Sequence, residues 1–364
     1  MGKEIKHYDI EPLFKKVRGH IDNAKKQIQT TVDTEMVLAY WNIGKDIIKE
    51  EQDGQDRAEY GTNALENLSS RLKKHYGKGF SVSTLRDIRR FYLVFINREP
   101  IHHAVRGESK NAFSPELGWL HYRKLMRIED INKRHFYEVE AENNRWNGRE
   151  LERQVDSLLF ERLSKSKDKV GLMRLANEGQ EIEIPGDAIK EPMILEFLGL
   201  PENHRLVESK LEEALINNLQ HFLLELGKGF AFIARQKRLS FDGDHFYADL
   251  VFYHAILKCY VILDLKVGKL THGDLGQMQL YVNYFDKEIK MESDNSTIGI
   301  VLCSKKNKAV AKYMLGEQTS KRVFTSEYKL HLPTEEELER ELNREVREVE
   351  KKIEDNDSHQ DSKE

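Results

Sequence analysis

The run His245 to Gly268, HFYADLVFYHAILKCYVILDLKVG, constrains the chain more than any other stretch. It holds two apolar segments of strand length, which need a sheet to bury them, yet Asp249, Asp264 and Lys266 lie inside those segments. Side chains alternate along a strand, so Tyr260, Ile262, Asp264 and Lys266 share one face while Val261, Leu263 and Leu265 share the other. An ionised carboxylate buried without a partner costs several kcal/mol. The pattern therefore requires an internal salt bridge, a bound cation, or the solvent of a cleft.

At 364 residues the chain exceeds the size at which one core stops growing, which predicts two domains with appendages. No apolar run approaches the ~20 residues that span a bilayer, and nothing after Met1 resembles a signal peptide, so the expectation is a soluble cytoplasmic protein with no membrane partner. Cys259 and Cys303, the only cysteines, both fall in strand-like apolar runs and read as small hydrophobes; neither a disulfide framework nor a cysteine zinc site is expected. The net charge of −4 is unevenly spread. Residues 334–364 hold 6 Lys+Arg against 13 Asp+Glu, which leaves the rest of the chain slightly basic, and residues 71–98 hold eight basic residues and one acidic.

Residues 1–163 read as helices, with apolar residues at three and four spacing such as Met36, Tyr40, Ile43 and Ile47, and form an all-helical, nucleic-acid-binding domain by expectation. The prolines and charges of residues 164–204 read as a linker. From 205 to 333 the period changes. A helix (SKLEEALINNLQHFLLEL) precedes strands near 231–240, 245–253 and 259–265, then a helix near 273–287, the strand TIGIVLC, a helix near 307–315 and the strand RVFTSEYKLHL. The order is αβββαβ, an α/β sheet covered by helices. Thr334 with Glu337 forms a capping box that opens a charged C-terminal helix, on which Leu338, Leu342, Val346, Val349 and Ile353 make a narrow stripe before a disordered tail. That stripe fits packing on its own domain or a homodimer seam.

An Asp-x-Lys alone in so charged a chain is explained by an ion pair without chemistry. Here it follows a helix carboxylate, Glu212, and Asp249 on the previous strand, and precedes Gln277 and Tyr281 on one face of a helix. Carboxylates converging at a strand end make a hard oxygen site of the kind Mg²⁺ takes, and a nearby lysine can orient or deprotonate water or stabilise charge on phosphorus. The glycines of GKGF at 227–230 lack P-loop spacing, and His103, His121 and His254 lack metal-ligand spacing.

The stretches KLEEALINNLQHFLLELGKGFAFIARQKRL, FYADLVFYHAILKCYVILDLK, GDLGQMQLYVNYFD, GIVLC and LHLP resemble the YhcG group of PD-(D/E)XK nucleases, relatives of restriction endonucleases. LAYWNIGKDI, YGTNALENLSSRL, GKGFSVSTLRDIRRFY and NNRWNGRELERQVDSLLFERL resemble the helical domain that accompanies it. The resemblance implies a restriction-endonuclease-like fold and hydrolysis of phosphodiester bonds, in DNA first with RNA left open, using Mg²⁺ with Mn²⁺ as substitute. It implies that Asp249 and Asp264 hold the metal with the Leu265 carbonyl and Glu212, that Lys266 is the motif lysine, that Glu212, favoured over its neighbour Glu213 by an apolar stripe of Leu211 and Leu215, is the helix carboxylate, and that Gln277 and Tyr281 form the Q-x-x-x-Y extension of RecB-like nucleases. Ala248 stands where the motif has proline. The rival class is a non-catalytic nucleic-acid-binding or assembly protein on a silent nuclease fold.

For phosphate contact the sequence offers Lys73 and Lys74, then Arg86, Arg89 and Arg90 on a helix capped by Ser83 with Leu85, Ile88, Tyr92 and Phe95 as its buried stripe, resembling a helix-turn-helix; a solvated scaffold helix explains the same pattern. Arg235, Lys237 and Arg238 lead into the first hairpin, either as phosphate contacts or as edge-strand charges.

Overall fold

The computed structural model describes residues 11–53, 58–98, 113–164, 169–200, 207–241, 243–315, 319–334 and 336–337. The chain divides into two compact units, Met1–Glu152 and Arg153–Glu364. The first contains α1 (Glu11–Asp53), α2 (Ala58–Tyr76), α3 (Val82–Val94), α4 (Trp119–Leu125) and α5 (Ile131–Asn144), and α6 (Gly148–Asp156) spans the division.

Of the expected α1 stripe Ile47 is buried, Tyr40 and Ile43 pack half-buried beside it and Met36 is exposed, while Val37, Trp41, Gly44 and Ile48 extend the buried face. Gly44 explains the phase. A Cβ there would lie 2.6 Å from the Ile88 carbonyl oxygen and 2.7 Å from Tyr92 Cβ, so α1 crosses α3 where only glycine fits. On α3 the N-cap is Ser81, whose hydroxyl accepts the Thr84 amide at 3.1 Å, and not Ser83. Its buried residues are Leu85, Ile88 and Phe91, followed by Phe95, while Tyr92 is only half-buried.

The second unit continues with α7 (Leu159–Ser164), α8 (Lys169–Glu178), β1 (Met193–Ile194), α9 (Glu208–Asn217), α10 (Leu219–Leu226), β2 (Phe230–Phe241), β3 (Asp244–His254), β4 (Cys259–Lys269), α11 (His272–Tyr284), β5 (Ile298–Lys305), α12 (Lys308–Met314) and β6 (Val323–Lys329). The expected αβββαβ order is present, with the first helix broken at Asn218. Six strands form one sheet in the order β1-β6-β5-β4-β3-β2; β2, β3 and β4 are antiparallel neighbours, and β4, β5, β6 and β1 run parallel. Residues 164–204 are more than the expected linker. They supply β1, paired to β6 through Met193 and Tyr328, and bury Ala188, Met193 and Leu195 in the sheet's core, because prolines shorten elements without preventing their packing.

Both faces of the sheet are covered. Leu211, Leu215, Phe222 and Leu226 of α9 and α10 pack on Leu250, Phe252, Val261, Leu263 and Leu265. Leu275, Met278, Tyr281 and Val282 of α11 pack on Val251, Ile262 and Val301. Asp264 lies on the α11 side by alternation, as its strand pattern requires. Cys259 and Cys303 are free and buried. The Thr334–Glu337 capping box is formed, with the Thr334 amide on Glu337 at 2.9 Å and the Glu337 amide on the Thr334 hydroxyl at 3.2 Å. The stripe from Leu338 to Ile353 lies outside the described residues. Among the described residues no helix is long and apolar enough to cross a membrane.

A buried charge network fastens the start of this unit to α10. Glu225 is fully buried and takes Arg162 at 2.6 Å, Arg153 at 3.3 Å and the Ile194 amide at 2.9 Å. Burial pushes its pKa up, but Arg162, Lys190 and Arg153 more than offset this and bring it down to about 2. A depressed carboxylate contributes stability that is present above its unfolded pKa and lost as pH falls through the folded one. Thermal melts should therefore show a loss between about pH 4.5 and 2 that Glu225→Gln abolishes, the variant already being about 3–5 kcal/mol less stable at neutral pH because Arg162 is left buried and unpaired.

Candidate active site

The β3–β4 ladder ends at the pair Leu250 and Leu263, beyond which the strands part. The amide of Leu265 then has no backbone acceptor on β3, and the Asp249 carboxylate takes its place, Oδ2 accepting at 2.8 Å. On the other side of β3 the pairs Arg235↔Leu250 and Lys237↔Ala248 skip Gln236, which stands opposite Asp249 with a φ of 47°. That left-handed conformation is costly for a residue with a side chain, and it aims the Gln236 amide inward. Its Nε2 donates to Asp249 Oδ1 at 3.0 Å and to Glu212 Oε2 at 2.7 Å. Glu212, 5% exposed on α9, also accepts Arg235 Nε at 2.6 Å, whereas Glu213 points to solvent. Burial of Leu211 and Leu215 turns Glu212 toward the sheet.

Asp264 is 1% exposed. Its Oδ2 lies 2.9 Å from Lys266 Nζ, but the ammonium is out of line, so this buried oxygen receives no directed hydrogen bond. Burial, then the charge of Asp249, push the Asp264 pKa up to about 7 against the pull of Lys266. Asp249 is raised too, by burial first and by Glu212 after it, with the Leu265 amide and Lys266 opposing. Burial lowers Lys266, but Asp264 outweighs it and the lysine ends above its usual value.

The structure thus brings together Glu212, Asp249, Asp264, Leu265 and Lys266. Gln277 donates to the Tyr281 hydroxyl, which donates to the Tyr247 carbonyl at 3.0 Å, tying α11 to β3 two residues before Asp249. Of the basic residues on this unit, Arg235 is engaged by Glu212, Arg238 by His245 at 2.5 Å, and Lys237 is exposed. In the helical unit Lys73, Lys74, Arg86 and Arg90 are exposed, and Arg89 is held by Glu51 at 2.7 Å.

Sequence reasoning missed Gln236. No local signal marks it, since the register shift of β2 lies between Phe232 and Ala234 and Gln236 keeps a one-to-one register opposite Asp249. It also missed Glu208, which accepts the Val267 amide at 3.2 Å and stands 3.9 Å from Lys266.

Among the described residues no three or more His, Cys, Asp or Glu side chains form a ready metal cage. The donor set nevertheless fits a hard divalent cation, which is often held by one or two carboxylates and keeps several waters. The Asp264 oxygen without a directed donor, beside the Asp249 carboxylate, supplies that kind of partial site. An ionised Asp264 costs the metal-free fold stability once pH exceeds the unfolded value of 3.8, and the cost saturates above about 7. Asp264→Asn should therefore melt higher than the parent in chelator at pH 8, by about 2–4 kcal/mol, and lose that advantage below pH 4.

The family model described as the YhcG PDDEXK nuclease domain matches residues 186–343, and that of the DUF1016 N-terminal domain matches residues 16–162. The Escherichia coli (strain K12) protein named "Putative nuclease YhcG" is 37% identical over 339 residues, covering 87% of this chain and 89% of that one. Two solved structures match over less. A repair endonuclease from Pyrococcus abyssi has a TM-score of 0.25 at 18% identity over 36% of this chain, and an EndoMS-dsDNA2 complex has 0.25 at 16% over 37%; this chain spans 50% of each of those. The family matches and the full-length relative show that the chain belongs to the YhcG family of PDDEXK nucleases, with the DUF1016 domain at its N-terminal side.

Proposed function

We propose that the protein is a cytoplasmic, Mg²⁺-dependent endonuclease that hydrolyses phosphodiester bonds in DNA, with Mn²⁺ able to replace Mg²⁺. The observation that supports this most directly is the convergence of Asp249, Asp264 and Lys266 where β3 and β4 part, around a buried carboxylate oxygen with no directed donor. Asp249 and Asp264, with the Leu265 carbonyl, hold the cation, which when bound polarises the phosphoryl oxygen and lowers the pKa of its water. Lys266 is kept protonated by Asp264, so it serves as a fixed positive charge facing the developing phosphoryl charge and not as the base. Arg235 and Gln236 hold Glu212 in place, and Gln277 with Tyr281 steadies β3 through the Tyr247 carbonyl. The helical domain, taken as residues 1–163 ahead of a nuclease domain at 205–333, binds DNA through Lys73, Lys74, Arg86 and Arg90.

Purified protein should cut DNA with Mg²⁺ or Mn²⁺ and lose at least about 100-fold in rate in Asp249→Ala, Asp264→Ala and Lys266→Ala, with folding retained by circular dichroism. Cleavage that survives Asp264→Ala would reject the assignment; wild type that binds DNA and metal but cuts no DNA or RNA would favour a silent nuclease fold. For binding, the informative pair is Arg86→Ala with Arg90→Ala, since Arg89 is already held by Glu51. The double variant should bind DNA of any sequence more weakly and reduce the slope of log affinity against log salt by about 1.8, or about 0.9 for each lost phosphate contact.

A further inference from the structure

The N-terminal half of α1 exposes a stripe that the nuclease reading does not use. Phe14, Val17, Ile21, Ile28, Val32 and Met36 recur at spacings of three, four, seven, four and four, and all are exposed. They lie on one face of the helix. Such a segment is a poor helix by itself. Gly19 sits within it with nothing within 4 Å of where its Cβ would be, and Ile21, Ile28, Thr30, Thr31 and Val32 are β-branched. In proteins a helix draws most of its stability from packing its apolar face, and this face is exposed.

Charge says what covers the stripe. Residues 11–32 hold five Lys+Arg and two acidic residues, whereas residues 33–53 hold two Lys and six Asp+Glu. The last turn of α1 has no basic residue, so the pattern opposes the helix macrodipole and calls for compensation from outside. The same face continues from Met36 to Ile43, Ile47 and Glu50, at seven, four and three. There it borders a groove of about 580 Å³ between α1 and α2, lined by Ile43, Leu68 and Leu72 over the buried Ile47 and Leu65, with Asp46, Glu50, Glu51 and Arg71 around it.

We infer that this face is a homodimer seam in which the N-terminal half of α1 from a second copy lies antiparallel in the α1–α2 groove. With the two-fold axis beside Thr34, Val32 meets the second copy's Met36, Ile21 enters the groove at its Ile47, and Arg18 faces its Glu50. The contact is isologous, so both grooves fill at once and the assembly closes. A parallel pairing would stack basic halves on basic halves and acidic on acidic. The seam is separate from the tail stripe and does not depend on the nuclease assignment.

Light scattering and sedimentation of the full chain should give twice the chain mass at micromolar concentration. Ile21→Glu with Ile28→Glu should give a monomer whose helical circular dichroism falls and whose divalent-metal binding is retained. Arg18→Glu alone and Glu50→Lys alone should each raise the dimer dissociation constant about tenfold, and the two together should restore it, because the pair is reversed and not removed. Leu342→Glu, in the tail, should leave the mass unchanged. A monomeric wild type, a mass that halves with Leu342→Glu, or charge reversals that do not compensate would each overturn the proposal, the first two assigning the stripe to cover within one chain and the seam to the tail respectively.

Discussion

A backbone N–H buried inside a sheet must find an acceptor, and at Leu265 the neighbouring strand has already turned away. Asp249 supplies the missing acceptor from its side chain at 2.8 Å. Much of the site follows from that substitution. Because the carboxylate does the work of a strand carbonyl, β3 can part from β4 without leaving an unpaired amide, and the strands part beside Asp264 and Lys266 while Asp264 itself stays buried. The position of Asp249 is then fixed by the register of the sheet, while its second oxygen remains available to Gln236, which faces it from β2.

The second unit buries two carboxylates in opposite ways. Glu225 has two arginines and a backbone amide aimed at it, and they bring its pKa down to about 2. Asp264 is equally hidden but has one off-line ammonium and a like charge beside it, and its pKa rises to about 7. Burial is common to both; the difference is whether the surroundings were completed by the protein. Glu225 therefore fastens the fold, whereas Asp264, when ionised, costs the fold stability.

Why the sequence disclosed one of these and not the other is a matter of range. Asp264 and Lys266 were legible because strand alternation is local and forces both onto one face next to a run too apolar to be surface. The αβββαβ order was legible for the same reason, through the change of period from helix to strand after residue 205. Glu225 looked like one acid on an amphipathic helix, since its partners Arg153 and Arg162 lie more than 60 residues earlier, in a different element. The stripe of Leu211 and Leu215 favours Glu212 over Glu213 only narrowly in the sequence, and the packing of both leucines on the sheet turns Glu212 inward. The phase of α1 depended on where Gly44 lets α3 approach, and the cap of α3 moved from Ser83 to Ser81, because both are decided by contacts that a stripe of apolar letters does not encode.

Arg235 shows how one displaced charge changes the reading of a whole site. Placed on phosphate, it would have made the mouth of the site basic. Bound to Glu212, it leaves three carboxylates, Glu212, Asp249 and Asp264, against two cations, Arg235 and Lys266. With every group ionised that set carries −1, which repels a polyanion at the distance where chemistry must occur. Protonating Asp264 brings it to zero, and its elevated pKa is the metal-free protein's partial relief of the same strain. A divalent cation goes further and makes the set +1. On the proposed function, affinity for a cation and tolerance of a phosphodiester would be two consequences of one charge balance, which Asp264 sets.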